Sequence, residues 1–222
     1  MGDGYPTVPE EALAEGGWDE RVRAESTVFR TPTSRIVGRT VLYDDQVLRA
    51  ALEAAGFGDL LAGRAESGGR RLVDTGEDGG YWRFFFATAL TFRPPLAPGI
   101  GPASMLPTVV TEARRTFADD LESRGFREVE RDRSQRVRTE SGDRVRLAKV
   151  TASYPLETDA GDRLDIEGWL GVWHGDGFRI AGGAYPVRGL DDLLAERPDG
   201  ERPSTDPNEF RSELLDLIRA VR

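Results

Sequence analysis

The sequence predicts an α+β fold, a mostly antiparallel β-sheet of about six to eight strands with three main helices packed on it. Two observations support this prediction. Segments with the two-residue period of strands follow one another as hairpins, and three other segments carry apolar residues at helical spacing. The 222 residues, 38% of them hydrophobic, suit one domain with a sizeable core. We expect residues 1–20 to form a poorly ordered lead-in and residues 21–222 a single α+β domain.

The first predicted helix begins shortly after position 43. Asp44 or Asp45 can cap its first turn, and Gly56 stands where a left-handed C-terminal cap belongs. Five apolar residues between these ends form one stripe: Val47, Leu48, Ala51, Leu52 and Ala55.

Two longer helices are predicted further along the chain. One covers residues 108–124 and ends at Gly125. The other is capped by Asp206, has Pro207 in its first turn, and carries Glu209 where a capping box needs it. Its apolar residues recur at helical spacing: Phe210, Leu214, Leu217, Ile218 and Val221. A shorter helix is expected over residues 190–196.

Six segments have the composition and alternation of strands. They are residues 34–43, 81–93, 127–139, 143–154, 164–173 and 178–187. The last four form two consecutive hairpins, which implies antiparallel pairing.

Composition excludes several classes of site. There is no cysteine, so disulfides, thiolate chemistry and cysteine-based zinc sites are excluded. His174 is the single histidine, which excludes a histidine-rich metal site, and we expect neither a metal nor a cofactor. No apolar run approaches the roughly 20 residues that span a bilayer, and the first residues lack a signal-peptide pattern. We therefore expect a cytoplasmic protein that does not insert into membranes.

The charge balance is acidic and unusual. The net charge is -9, which makes general nucleic-acid affinity unlikely, since such proteins carry a basic footprint. Lys149 is the only lysine, so 29 of the 30 basic residues are arginine. This combination suggests a salt-loving archaeon, although a GC-rich genome in another organism would also replace lysine by arginine.

Catalytic constellations are poorly represented, and we assign no catalytic residue. His174 lies in a predicted hairpin turn, and no serine lies in a GxSxG elbow. Asp165 and Glu167 share one strand face, where an acid–base pair is conceivable, but a solvated surface is the better interpretation.

The predicted hairpin over residues 124–149 is basic within an acidic chain. It has nine basic and five acidic residues, a balance of +4. A turn with Gly142 in the left-handed conformation would place Arg136 opposite Arg146 and Arg138 opposite Arg144, which is repulsive. A bound anion or nearby acidic side chains must relieve this repulsion. Arginine favours bidentate contact with carboxylate or phosphate. The alternative is a solvated hairpin paired with neighbouring acids.

The later hairpin predicts a second candidate site. Trp169 and Trp173 share one strand face, and Tyr185 can join them. Small residues at Gly171 and along 181–184 leave space beside the indoles, which suggests a groove for an apolar ligand or partner. The alternative is that helices cover this face and the indoles form a second core layer.

Two stretches carry a resemblance to known proteins. YWRFFFATALTFRPPL (81–96) and DIEGWLGVWHGDGFRIAGGAYP (165–186) resemble an uncharacterised family of conserved haloarchaeal proteins. The order of elements is similar to the PsbP/Mog1-like fold in topology only. The resemblance implies a binding or assembly role by analogy and carries over no functional residue.

These observations favour a non-enzymatic soluble binding or assembly module with an aromatic and small-residue groove. Its partner would be a protein or a small molecule. The alternative is an enzyme that clamps a small anionic metabolite with the arginine hairpin. A third, weaker option is contact with RNA or DNA through the same hairpin. If the arginines converge beside a carboxylate or Tyr154, the enzyme gains support. If they spread along an exposed hairpin, the enzyme loses support.

Overall fold

The computed structural model describes residues 4–30, 34–58, 81–96 and 101–222, and within these ranges seven strands form one antiparallel sheet. The strands are β1 Trp18–Arg30, β2 Arg35–Asp45, β3 Phe84–Arg93, β4 Arg127–Arg138, β5 Arg144–Thr158, β6 Gly161–His174 and β7 Phe178–Arg188. The helices are α1 Glu10–Glu15, α2 Gln46–Ala54, α3 Pro102–Ser123, α4 Leu190–Leu193 and α5 Pro207–Ala220, with a 3-10 turn at Asp199–Glu201. The strand order is β1-β2-β3-β7-β6-β5-β4. The predicted α+β class is confirmed.

The two long helices pack on opposite sides of the sheet. Phe117 of α3 packs against Phe86 of β3, with 5.9 Å between ring centroids. On the other side, a Cβ placed on Gly183 of β7 would lie 2.9 Å from Leu214 Cδ1 of α5. Small residues in the central strands therefore let both helices approach closely. We call the two surfaces the α3 side and the α5 side.

The helix ends are set largely by local chemistry. Asp45 caps α2 by accepting a hydrogen bond from the Leu48 amide at 2.9 Å, and Gly56 is left-handed with φ 85°. The prediction that Val47 belongs to the apolar stripe is wrong, because its side chain is 56% exposed. The helix α3 begins at Pro102, six residues earlier than predicted, because Gly101 serves as its N-cap.

The helix α5 starts as predicted, but its cap differs in detail. Asp206 accepts a hydrogen bond from the Asn208 amide at 2.8 Å. Glu209 does not close a capping box, because its carboxylate accepts a hydrogen bond from Ser204 Oγ.

The N-terminal segment and the strand that follows it were the least visible in the sequence. The helix α1 lies within the segment expected to be a lead-in, and Thr7 exchanges two backbone hydrogen bonds of 3.0 Å with Arg222. The strand β1 was not among the predicted segments, because charged residues dominate it and its sides differ little in burial.

A buried arginine joins α2, β1 and α5 to the start of β3. Arg83 donates to Asp45 at 2.6 Å and to Glu213 at 2.5 Å. Its guanidinium lies between two aromatic rings, 4.7 Å from the centroid of Trp18 and 4.2 Å from that of Phe210. Because both carboxylates depend on one cation, the cluster connects distant parts of the chain.

We expect Arg83→Met to lower the free energy of unfolding by about 3–5 kcal/mol, since it leaves Asp45 and Glu213 partly buried without their cation. Urea unfolding measures the loss. Arg115→Met is the matched control, because its pair with Asp119 is exposed and should cost less than about 1 kcal/mol. Equal losses in the two variants would contradict a structural role for the buried cluster.

Candidate functional site

The β4–β5 hairpin has the register that its sequence predicts. Its turn closes with the Thr139 amide donating to the Asp143 carbonyl at 2.9 Å, and Gly142 has a φ of 96°. Val137 pairs with Val145, as expected. Two arginine pairs also face each other across the strands: Arg136 with Arg146, and Arg138 with Arg144.

All four arginines of these pairs lie on the α3 side of the sheet. Ala148 of β5 pairs with Leu170 of β6, which lies on the same side as Gly168 beneath Phe117. Arg146 and Arg144 stand two and four residues before Ala148, so strand alternation places them on that side too. Arg136 and Arg138 pair directly with Arg146 and Arg144, so they lie on the α3 side as well.

The pairing pattern brings these arginines close together. Antiparallel pairs alternate between hydrogen-bonded and non-hydrogen-bonded, and the latter have closer side chains. The Thr139–Asp143 pair is hydrogen-bonded, so the next pair, Arg138 with Arg144, is not. Two residues further on, Arg136 with Arg146 is again a non-hydrogen-bonded pair. Both arginine pairs therefore occupy the closer geometry.

Two further arginines extend this positive surface. Arg131 pairs with Val150 on the same side of the sheet. Arg114 of α3 lies near Arg131 and Arg146. Partial burial lowers the pKa of the Arg114 guanidinium, and repulsion from Arg146 and Arg131 lowers it further. We define the arginine face by these six residues: Arg114, Arg131, Arg136, Arg138, Arg144 and Arg146.

Within the described part of the chain, the arginine face has no acidic partner. Among the described residues, none of its six guanidinium groups forms a salt bridge, and Arg138 donates instead to the Gly142 carbonyl at 2.8 Å. The acids of β4 lie elsewhere: Glu130 pairs with Thr151 on the α5 side, and Asp132 approaches Lys149 there at 3.8 Å. Glu130 and Asp132 therefore lie on the side of the sheet opposite the arginine face, together with Lys149.

The shape of the arginine face is open. The two facing arginine pairs border a recess of about 560 Å³, whose other lining residues are Val137 and Val145. Tyr154 is buried against Phe126 and does not reach it. The arginines therefore spread along an exposed hairpin and do not converge on a described carboxylate or on Tyr154.

The predicted tryptophan surface lies on the α5 side, beneath α5. Trp169 and Trp173 are only 4% and 3% exposed, and Tyr185 is buried with them. The space expected beside the indoles is occupied: a Cβ on Gly171 would lie 2.7 Å from Leu147 Cδ2 and 2.8 Å from Val145. The burial of these side chains agrees with the second interpretation, in which a helix covers this face and the indoles form a core layer.

A cleft remains at the rim of that layer, and it is built around one carboxylate. Glu167 accepts hydrogen bonds from Tyr185 OH at 2.5 Å and Trp169 Nε1 at 2.9 Å, and it pairs with Lys149 Nζ at 2.5 Å. Arg211 of α5 lies over the Trp169 ring at 5.2 Å, with its Nε 4.0 Å from Glu167. The cleft measures about 580 Å³.

The surroundings of Glu167 keep it ionised. Burial acts to raise the pKa of this carboxyl, but hydrogen bonds from Lys149, Tyr185 and Trp169 outweigh burial and lower it. Burial and the hydrogen bond to Glu167 raise the pKa of Tyr185 far above its usual value, so its hydroxyl keeps its proton. Near neutral pH, a charged carboxylate and a neutral phenol are suited to holding a ligand through hydrogen bonds and charge.

Sequence reasoning did not connect the members of this cleft. Asp165, which shares a strand face with Glu167, pairs with Arg163 at 2.8 Å and is not part of the cleft. In the sequence, Lys149 stands out as the single lysine, but no pattern marks Arg211 or Gln135 as site residues. Arg211 donates to Gln135 at 2.9 Å across 76 residues of sequence.

Metal and membrane sites are not apparent in the part of the chain that the structure describes. Within residues 4–30, 34–58, 81–96 and 101–222, no group of three or more histidine, aspartate or glutamate side chains is arranged to hold a metal ion. None of the helices in those ranges is both long and apolar enough to cross a membrane.

Fold and site together define an α+β protein with one antiparallel sheet and a positive face on its β4–β5 hairpin. The chain belongs to a family described as a domain of unknown function, DUF6517, whose model matches residues 5–222. No curated protein and no solved structure shows significant similarity to it.

We expect Glu167→Gln to cost about 1–3 kcal/mol of unfolding free energy at pH 7, since it removes the charge that Lys149 pairs with. The folded-state pKa of Glu167 is lowered, so its contribution is present above the unfolded pKa of about 4.3 and is lost as pH falls through the folded pKa.

Unfolding free energies measured from pH 7 to pH 3 check this. The difference between wild type and variant should be constant near neutrality and shrink below about pH 4.3. Asp165→Asn, on the same strand with an exposed partner, is the control and should show a smaller difference. A gap that grows toward low pH would contradict the assigned role of Glu167.

Proposed function

We propose that this protein is a non-enzymatic binding or assembly module that holds an anionic partner on its arginine face. One observation carries the proposal: six arginines gather on one side of the sheet, and none has a salt bridge to a described residue. In a chain of net charge -9, acids are abundant, so this separation of charge calls for a partner from outside.

The energetics favour an anion at this face. Like charges directly across two strands are destabilising, by about as much as the 0.2–1 kcal/mol that favourable pairs contribute. A carboxylate or phosphate between Arg136 and Arg146, or between Arg138 and Arg144, reverses the sign of that interaction. Arginine suits the role because its planar fork binds such groups with two parallel hydrogen bonds.

The arrangement disfavours the two competing functions. An enzyme acting on a small anionic metabolite needs a reactive group beside the clamp, and among the described residues the recess has no lining besides the arginines and two valines whose side chains face the α5 side. A long nucleic acid would meet acidic surface beyond the arginine face, because the whole chain is negative. A partner with a short anionic segment meets the positive residues alone.

We also propose that the protein works in the cytoplasm of a salt-adapted organism. A cytoplasmic, salt-adapted protein accounts for the acidic balance and the single lysine. In concentrated salt, charges a few ångströms apart still interact while longer-range repulsion is screened. Close bidentate contacts at the arginine face remain effective under those conditions. The order of elements in the sequence, which resembles the PsbP/Mog1-like fold, supports a binding or assembly role by analogy only.

The Glu167 cleft supports a second candidate function, the binding of a small polar ligand. Its walls combine the cations Lys149, Arg133 and Arg211 with the indole of Trp169 and the phenol of Tyr185. Such mixed linings are typical of sites that fix a ligand through a few polar groups. Trp173 lies outside this cleft and is not part of the candidate.

We expect phosphate to raise the melting temperature of the wild type more than chloride does at the same ionic strength. Screening acts equally for both salts, so the excess measures specific binding. Arg136→Gln plus Arg146→Gln should abolish the excess while stabilising the free protein by about 0.2–1 kcal/mol, because it removes one facing pair.

The matched control is Arg30→Gln plus Arg35→Gln, which removes the same charge from a cross-strand pair at the opposite edge of the sheet. This control should keep the phosphate-specific shift. The proposal is wrong if the wild type responds identically to phosphate and chloride, or if both double variants lose the response equally.

A further inference from the structure

The β4 strand is the end strand of the sheet, and part of its outer edge is regular. Since the pairs of Ser134, Arg136 and Arg138 with β5 are non-hydrogen-bonded, the amide and carbonyl groups of these three residues point away from β5. None of these groups has a backbone partner among the described residues. They form a short template for another strand.

The rest of the β4 edge is irregular. The register with β5 shifts between Arg127 and Glu130, and again between Arg131 and Ser134. Glu128, within the first shift, has a φ of 53°. Bulges of this kind disrupt edge pairing. The regular template is therefore confined to residues 134–138.

The side chains of that template differ on the two sides. On the α3 side, Arg136 and Arg138 stand about 7 Å apart along the strand, with Arg146 and Arg144 behind them on β5. On the α5 side, Gln135 accepts a hydrogen bond from Arg211, and Val137 is half-buried. A strand added here would meet positive charge on one side and a neutral, partly apolar surface on the other.

We propose that an extended acidic segment of a partner protein adds to the sheet beside residues 134–138, with an acidic residue at every second position facing the arginine face. This inference rests on the proposed function, and it specifies the anionic partner as an acidic protein segment. Alternate residues of a strand share one side and recur every 7 Å or so, which matches the spacing of Arg136 and Arg138. Backbone pairing supplies affinity, and the charges supply selection.

The same charges exclude the most available competitor, a second copy of this chain. Pairing two β4 edges would bring Arg136 and Arg138 of each copy toward those of the other, and like charges across strands repel. The arginines thus protect the edge against self-association while accepting an acidic strand.

The experiment uses full-length protein and three acetylated octapeptides of equal charge. The first alternates threonine and aspartate, the second has the four aspartates in one block, and the third is the alternating peptide methylated at every backbone nitrogen. We expect the wild type to bind the alternating peptide at least tenfold more tightly than either of the others. We also expect the alternating peptide to slow amide exchange at Ser134, Arg136 and Arg138.

Two variants separate the contribution of the strand edge to peptide binding from the contribution of the arginine charges. Ser134→Pro removes one outward amide at an edge position, where proline is tolerated, and keeps all six arginines. It should lose the preference for the alternating peptide but keep the phosphate-specific rise in melting temperature. Arg136→Gln plus Arg146→Gln should lose both.

Equal affinity for the methylated and unmethylated peptides would overturn strand addition while leaving anion binding intact. Phosphate binding without any peptide binding would overturn it too. The absence of both responses in the wild type would overturn the proposed function itself. If Ser134→Pro fails to fold, the peptide series and the amide exchange of the wild type still distinguish strand addition from simple anion binding.

Discussion

The register of the β4–β5 hairpin decides where charge lies on this protein. The side chains of a strand alternate with a period of two, so a slip of one residue would exchange the sides of Arg136 and Val137. The left-handed Gly142 and the Thr139–Asp143 hydrogen bond hold the hairpin in one register. The valines then face the covered α5 side, and the arginines face outward on the α3 side.

Contacts outside the hairpin keep the two sides of the sheet different. The helix α5 covers the side of the sheet that carries Trp169 and Val145, and Arg83 ties that helix to α2 and the start of β3. Glu167 gathers Lys149, Tyr185 and Trp169 on the same side. The carboxylates in these contacts pair with cations on the α5 side and in the buried cluster, away from the arginine face, which has no salt bridge to a described residue.

How much the sequence could predict depended on how local each signal was. The hairpin register rests on Gly142 and on the facing valines, all within ten residues, and it was predictable. The cover over Trp169 depends on docking of α5, and the Glu167 cleft joins β5, β6, β7 and α5, so neither follows from local patterns. The contribution of Arg114 from α3 is long-range in the same way. The strand β1 escaped prediction because charges mask its alternation.

The most direct test of the account is an NMR titration of the arginine side-chain Nε–H groups with phosphate at constant ionic strength. Specific binding predicts saturable shifts at Arg136, Arg138, Arg144 and Arg146, with Arg30 and Arg35 unchanged. Small, linear shifts of equal size at all these arginines would show that phosphate acts only as a general electrolyte. That result would contradict the claim that the arginine face is a binding surface.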